Sequence, residues 1–193
     1  MTDRRLSQAI SEGDGISVIV AVDGPEAARE AEMSGAEGVL VASGDEKSVP
    51  SIRAATELPI LVRFEPDRPV PDGADACIVD VRSADRDWLE RIREALADRC
   101  ELAPRIDEEE RLAFVLEALD PEVLVLGSDA DADEPLAEAL ELLPDVPAGK
   151  LAIADVGART RDEVVELERA GVDAVIVAAG NIAHLVGAAP PEV

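Results

Sequence analysis

The sequence predicts a (βα)8 barrel, the TIM-barrel fold, at close to its minimum length. Short runs rich in valine and isoleucine recur at a spacing of roughly 24 residues. Each run is followed by a charged stretch with helical periodicity. The runs are apolar on both faces, as parallel strands covered on each side are. Such barrels typically need about 250 residues but tolerate about 200, and this chain has 193. An open doubly wound sheet uses the same units and remains the alternative, because strand count alone does not show closure. No linker suggests a second domain, so residues 1–193 are expected to form one.

In chain order the predicted strands are Ile16 to Val22, Gly38 to Ala42, Pro59 to Phe64, Ala76 to Val81, Glu101 to Ala103, Val123 to Leu126, Leu151 to Asp155 and Ala174 to Val177. The predicted helices between them are Pro25 to Ser34, Ser48 to Glu57, Ala84 to Asp98, Asp107 to Leu119, Asp133 to Leu142 and Thr160 to Ala170, with Asn181 to Val186 a short last one. Pro25 suits a first helical turn, and Ser83, Asp107 and Thr160 each precede an acidic first turn that complements the helix dipole. Gly35 and Gly171 follow their helices as left-handed caps would. No helix fits after the third strand, where Pro66, Pro69 and Pro71 fall within a few residues. If Arg63 points into the barrel mouth, Pro59 and Leu61 share its phase, whereas Ile60, Val62 and Phe64 face outward and need a cover. The proline-rich loop carrying Val70, with the neighbouring helices, is expected to supply it, and a second copy of the chain is the runner-up.

The net charge is −25, with 47% of residues apolar. That much oil supports a folded core, and the charge excess marks a solvated surface. So acidic a chain repels phosphate backbones and anionic lipid headgroups, which excludes nucleic-acid and membrane-surface binding as its main business. No apolar run approaches the roughly 20 residues of a membrane span. The N-terminus lacks the apolar stretch of a signal peptide, so a cytoplasmic location is expected. Cys77 and Cys100 have neither C-x-x-C spacing nor histidine partners and are expected to be buried free thiols rather than a disulfide or a metal site, so no redox chemistry is expected of them. No metal and no cofactor is expected. Asn181 and Gln8 are alone in their types and arginine greatly outnumbers lysine; thermophilic and halophilic adaptation both produce such a bias.

Several segments resemble the indole-3-glycerol phosphate synthases. Asp23-Gly24-Pro25-Glu26-Ala27-Ala28 through Ser34-Gly35-Ala36-Glu37-Gly38-Val39-Leu40-Val41 is similar to the family's first helix and second strand. Pro59-Ile60-Leu61-Val62-Arg63-Phe64 resembles its Pro-Val-Leu-x-Lys-Asp-Phe strand, and Gly73-Ala74-Asp75-Ala76-Cys77-Ile78-Val79 its Gly-Ala-Asp-Ala-Val-Leu-Leu strand. Asp107-Glu108-Glu109-Glu110 resembles the opening of helix 5. Asp155-Val156-Gly157-Ala158-Arg159-Thr160, with Gly171-Val172-Asp173-Ala174-Val175-Ile176-Val177, looks like strands 7 and 8. The resemblance implies a phosphate-binding TIM barrel, a carbon–carbon lyase of tryptophan biosynthesis, and a small phosphorylated ligand held by glycine loops after strands 7 and 8.

The motifs are framework, and the family's chemistry is missing from them. Arg63 stands where the family has its proton-donating lysine, and a guanidinium holds its proton too tightly for that role. Val20 and Val22 lie near the family's Glu-x-Lys, Pro104 near its strand 5 glutamate and Gly127 near its strand 6 asparagine. The leading helix is expected to be absent. Only Lys47 and Lys150 exist, and neither is expected at the mouth. Synthase activity is therefore expected to be impaired or lost, and the alternative is a non-catalytic barrel acting as an anionic-ligand binder or scaffold, monomeric or homodimeric. Candidate ligand-binding residues are Arg63, Arg105, Gly157, Gly180 and Asn181. Arg63 and Arg105 belong to an ionic rim of Asp23, Arg63, Glu65, Asp80, Arg82, Arg105, Asp129 and Asp155, which reads either as an anion or metal site or as ion pairs closing a small barrel. His184 reads as an ordinary surface histidine, and Trp88 as packing.

Overall fold

The computed structural model describes residues 4–13, 15–41, 44–64, 69–97, 99–128, 132–180 and 182–185. Eight parallel strands close in sequence order: β1 (Ser17–Val22), β2 (Gly38–Val41), β3 (Ile60–Arg63), β4 (Ala76–Asp80), β5 (Glu101–Ile106), β6 (Val123–Gly127), β7 (Leu151–Ala158) and β8 (Ala174–Val177), with β8 pairing back onto β1. The open doubly wound alternative is thereby excluded. Around them run α2 (Pro25–Met33), α3 (Val49–Arg53), α4 (Arg86–Leu96), α5 (Glu109–Leu119), α6 (Pro135–Leu142) and α7 (Arg161–Ala170).

Alternation along the strands divides the core in two. Val18, Val20, Ile60, Val62, Cys77, Val79, Leu124 and Leu126 point outward beneath the helices. Ile19, Leu40, Leu61, Ile78, Ala103, Val125, Ile153 and Ile176 fill the barrel. Because the side-chain period is two, the next inward positions toward the strand ends are Arg63, Asp80, Arg105, Gly127 and Asp155, so charge begins where the apolar filling stops.

One expectation is corrected at the opposite end. Residues Arg5–Glu12 form a leading helix, α1, although the sequence reading leaves this segment without one. Its Leu6 and Ile10 enter the inner core. The Glu101 carboxylate, inward at the start of β5, accepts from the backbone N–H groups of Leu6 (2.8 Å) and Ser7 (3.2 Å). Among the described residues α1 has no side-chain cap of its own at Arg4; the cap comes from a strand 95 residues away. Signals that rely on neighbouring residues cannot reveal such a cap.

The repeated Gly-Ala-Asp and Gly-Val-Asp phrases acquire a physical meaning. Asp75 accepts from the Ile60 N–H (2.8 Å) at the start of β3, and Asp173 from the Ala152 N–H (2.7 Å) in β7. Each carboxylate precedes one strand and fastens the preceding strand of the sheet. Asp75 also holds Arg53 (2.5 Å) and Arg5 (3.4 Å), joining α3 and α1 to the same floor.

Helix boundaries differ in detail. Thr160 caps α7 in a capping box with Glu163, but Asp85, not Ser83, caps α4 by accepting from the Trp88 N–H (2.7 Å). Asp107 caps nothing: β5 continues past Ala103 to Ile106, and α5 starts only at Glu109. The short last helix is not formed over its described part, where residues 182–185 make a turn closed by Leu185 N–H to the Ile182 carbonyl (2.7 Å). Among the described residues no helix intervenes between β3 and β4, as expected. Val70 of the intervening loop is buried with Ile60 and Val62 in the outer core, and Phe64 packs against it; Pro66 lies outside the described residues. Trp88 packs on the same core from α4.

Candidate functional site

The strand ends enclose a cavity of about 370 Å3, lined by Arg63, Phe64, Ile78, Asp80, Arg82, Arg105, Ser128 and Asp155. Three arginines and three aspartates, counting Asp107 at its edge, make this region nearly neutral on a chain of net charge −25. An anion is repelled here less than over the rest of the acidic surface.

Arg105 is the most constrained group. Its Nη2 donates to the Ser128 carbonyl (2.8 Å) and its Nη1 to Asp107 Oδ2 (3.3 Å), while its Nε lies 3.5 Å from Asp155 Oδ2. The guanidinium lies directly over Gly127. A Cβ on that residue would come within 2.4 Å of Arg105 Nη2 and 2.5 Å of its Cζ. Glycine at the end of β6 therefore clears the space that Arg105 occupies.

Arg63 is held differently. Its Nη2 donates to Asp155 Oδ2 at 2.9 Å, so one carboxylate oxygen serves both arginines. Among the described residues this is its one ion pair, and its side chain is 36% exposed against 16% for Arg105. Arg105 is thus anchored, whereas Arg63 presents N–H donors at the mouth. Arg82 chelates Asp80 (Nη2 to Oδ2, 2.6 Å) and approaches Asp107 (3.7 Å). Burial works to raise the Asp80 carboxyl, but hydrogen bonds from the Arg82 side chain and backbone outweigh it and hold Asp80 below the usual range. Asp107 Oδ1 is buried without a hydrogen-bond partner among the described residues.

The structure brings Arg63 and Arg105 into one cavity but not the glycines. Gly157 (φ +67°) and Gly180 (φ +145°) are both exposed, in conformations that side-chain-bearing residues seldom adopt, and a Cβ on either would meet nothing within 4 Å. Neither lines the cavity between the arginines. Asn181, Glu65 and Asp129 lie outside the described residues. The start of α7 already holds an internal anion: the Glu163 carboxylate accepts from the N–H groups of Arg159 and Thr160, each at 2.8 Å. Those hydrogen bonds, the Arg159 one foremost, lower the Glu163 carboxyl below its ordinary value. His184 is exposed, with Nε2 3.5 Å from the Arg159 carbonyl oxygen.

Asp155 and Ser128 complete the cavity, and Asp107 was hidden by its reading as a helix cap. The alternating Ala103, Arg105, Asp107 pattern was the available signal; Pro104, paired with Val79 inside β5, masked it. Lys47 sits in the short 3-10 helix after β2, and Lys150 pairs with Asp120 (2.6 Å) before β7. Neither lines the cavity. Among the described residues no group of three or more His, Cys, Asp or Glu is placed to hold a metal ion, and no helix is long and apolar enough to cross a membrane.

No protein-family model matches the sequence, and no curated protein does. Solved structures do match the fold. One is a thiamine phosphate pyrophosphorylase from Pyrococcus furiosus, with a TM-score of 0.69 and 16% identity over 90% of this chain and 87% of that one. Another is a putative fructose-1,6-biphosphate aldolase from Coccidioides immitis, with a TM-score of 0.63 and 15% identity over 91% of this chain and 79% of that one. The fold is a TIM barrel. At these identities the likeness establishes architecture alone, since the barrel hosts many unrelated chemistries.

Proposed function

We propose that this TIM barrel binds a small phosphorylated ligand at its mouth, with Arg63 as the principal anion contact and Arg105 as the anchor of the site. The observation that carries this reading is the sharing of Asp155 by the two arginines. It leaves Arg63 with donors that no other described residue takes up, in a cavity sized for a small molecule. Both structural neighbours are named for phosphorylated compounds, which supports the ligand class. Gly157 and Gly180, with open space around their backbones, offer a second place for a phosphate at the ends of β7 and β8; Asn181 belongs to the same proposed loop.

The resemblance to indole-3-glycerol phosphate synthases supplies the ligand class but not the reaction. Ring closure needs a proton donor at the mouth. The strand 3 position holds Arg63, and both lysines lie elsewhere. We infer a binding role in which synthase chemistry is impaired or lost.

The deciding experiment follows thermal unfolding of the full chain against inorganic phosphate and against indole-3-glycerol phosphate, with indole formation assayed in parallel. A ligand that binds only the folded state raises the unfolding midpoint with concentration. The expected result is a rise that Arg63→Ala removes, without indole formation. A midpoint that stays flat with both ligands would favour the second reading, a scaffold whose rim arginines serve only to neutralise Asp80, Asp107 and Asp155. Turnover that survives Arg63→Ala would overturn the loss of catalysis.

A further inference from the structure

The two cysteines are far apart in sequence and in contact in the fold. Cys77 is in β4, in register with Leu102 of β5. Cys100 lies two residues before Leu102, so by strand alternation it stands on the same outward face, one diagonal step away. Both are buried free thiols, as expected from the sequence, and their sulfurs are 3.0 Å apart, sharing a hydrogen bond. The sulfurs are therefore already opposed between neighbouring strands, where a covalent bond would require little backbone movement.

The two thiols are not equivalent. Cys77 is fully enclosed, whereas Cys100 keeps 4% exposure and lines a surface groove with Leu96, Ala97, Leu102 and Pro121. The hydrogen bond with Cys77 lowers the Cys100 thiol, assisted by the Arg99 charge. The same hydrogen bond, with burial, pushes the Cys77 thiol up. Cys100 is thus the less enclosed residue of the pair, and the Arg99 charge beside it favours its thiolate.

We propose that Cys77 and Cys100 form a reversible intramolecular disulfide in the folded protein, a redox-modification site separate from the mouth. With a small disulfide as oxidant, the Cys100 thiolate attacks one oxidant sulfur and expels the other half as a thiolate. The Cys77 thiol then loses its proton to solvent and attacks Cys100 Sγ, expelling the second half. Two cysteine thiols and one oxidant disulfide become one protein disulfide and two small thiols. The bond would join the start of β4 to the approach to β5 and close a loop that contains α4.

The test equilibrates the full chain, native and unfolded in denaturant, across a series of oxidised and reduced dithiothreitol ratios, with acid quenching and intact-mass measurement. The expected native product has lost two hydrogens, carries no dithiothreitol adduct, and gives a Cys77–Cys100 linked peptide on digestion. Because the fold holds the thiols together, half-oxidation should occur at an oxidised-to-reduced ratio about tenfold or more below that of the unfolded chain. Return of both hydrogens on adding reductant completes the expected result. The proposal is overturned if the native chain keeps both thiols at ratios that oxidise the unfolded chain, if both forms oxidise at the same ratio, or if the product links two chains. These measurements need no cysteine variant, so they do not depend on whether Cys77→Ser folds.

Discussion

The carboxylate of Glu101 accepts the backbone N–H of Leu6 at 2.8 Å, tying the first strand position of β5 to the leading helix. Four residues further along the same inward face, Arg105 organises the mouth. One strand thus closes the barrel at one end and builds the cavity at the other. Glu101→Ala would leave the Leu6 and Ser7 N–H groups without their buried acceptor, at a cost of about 1–3 kcal/mol. Urea unfolding should show that loss, and Glu101→Gln, which keeps an acceptor, should lose less.

The capping box of α7 gives a signed pH dependence. Its hydrogen bonds lower the Glu163 carboxyl from an ordinary value of 4.5, so the folded state favours the ionised form. That contribution is complete above 4.5 and disappears as the pH falls through the lower folded value. Glu163→Gln should therefore be less stable than the parent near neutral pH, and the difference should shrink as the pH falls below 4.5. Chemical unfolding of both proteins across that range checks it. Thr160→Ala should cost about 1 kcal/mol near neutral pH.

Gly127→Ala tests the cradle of Arg105. The new methyl would collide with the guanidinium, 2.4 Å from Nη2, and push it from Ser128, Asp107 and Asp155. Because the guanidinium is the far end of a flexible side chain and can yield to the methyl, we expect a loss of only about 1 kcal/mol from its displaced hydrogen bonds, together with loss of the phosphate-induced rise in unfolding midpoint. An unchanged response to phosphate would separate Arg105 from anion binding.

Val70 covers the outer face of β3, where no helix is formed among the described residues. Val70→Ala should destabilise the chain by about 1–2 kcal/mol through lost burial over Val62 and Phe64. Val70→Asp should cost more, because it places a charge in an apolar contact. Thermal and chemical unfolding of both variants would measure the cover that the loop supplies.

By itself the sequence determined the parallel βα units and left their closure into a barrel to the structure. Eight apolar runs separated by helical stretches left few topologies, because parallel strands need covering crossovers and right-handed connections. Ile60, Val62 and Phe64 could be assigned outward, and Arg63 inward, from strand period alone, and Thr160 could be recognised as a cap from its local chemistry. Tertiary structure decided what depends on partners distant in sequence. Local signals failed for α1, whose cap comes from Glu101, and for Asp107, which reads as a helix cap until β5 carries it to the mouth. The meeting of Arg63, Arg105 and Asp155, the vacancy at Gly127 that admits Arg105, and the contact of Cys77 with Cys100 all depend on registers between strands. Side-chain period says which face a residue occupies, and only the closed sheet says what stands beside it.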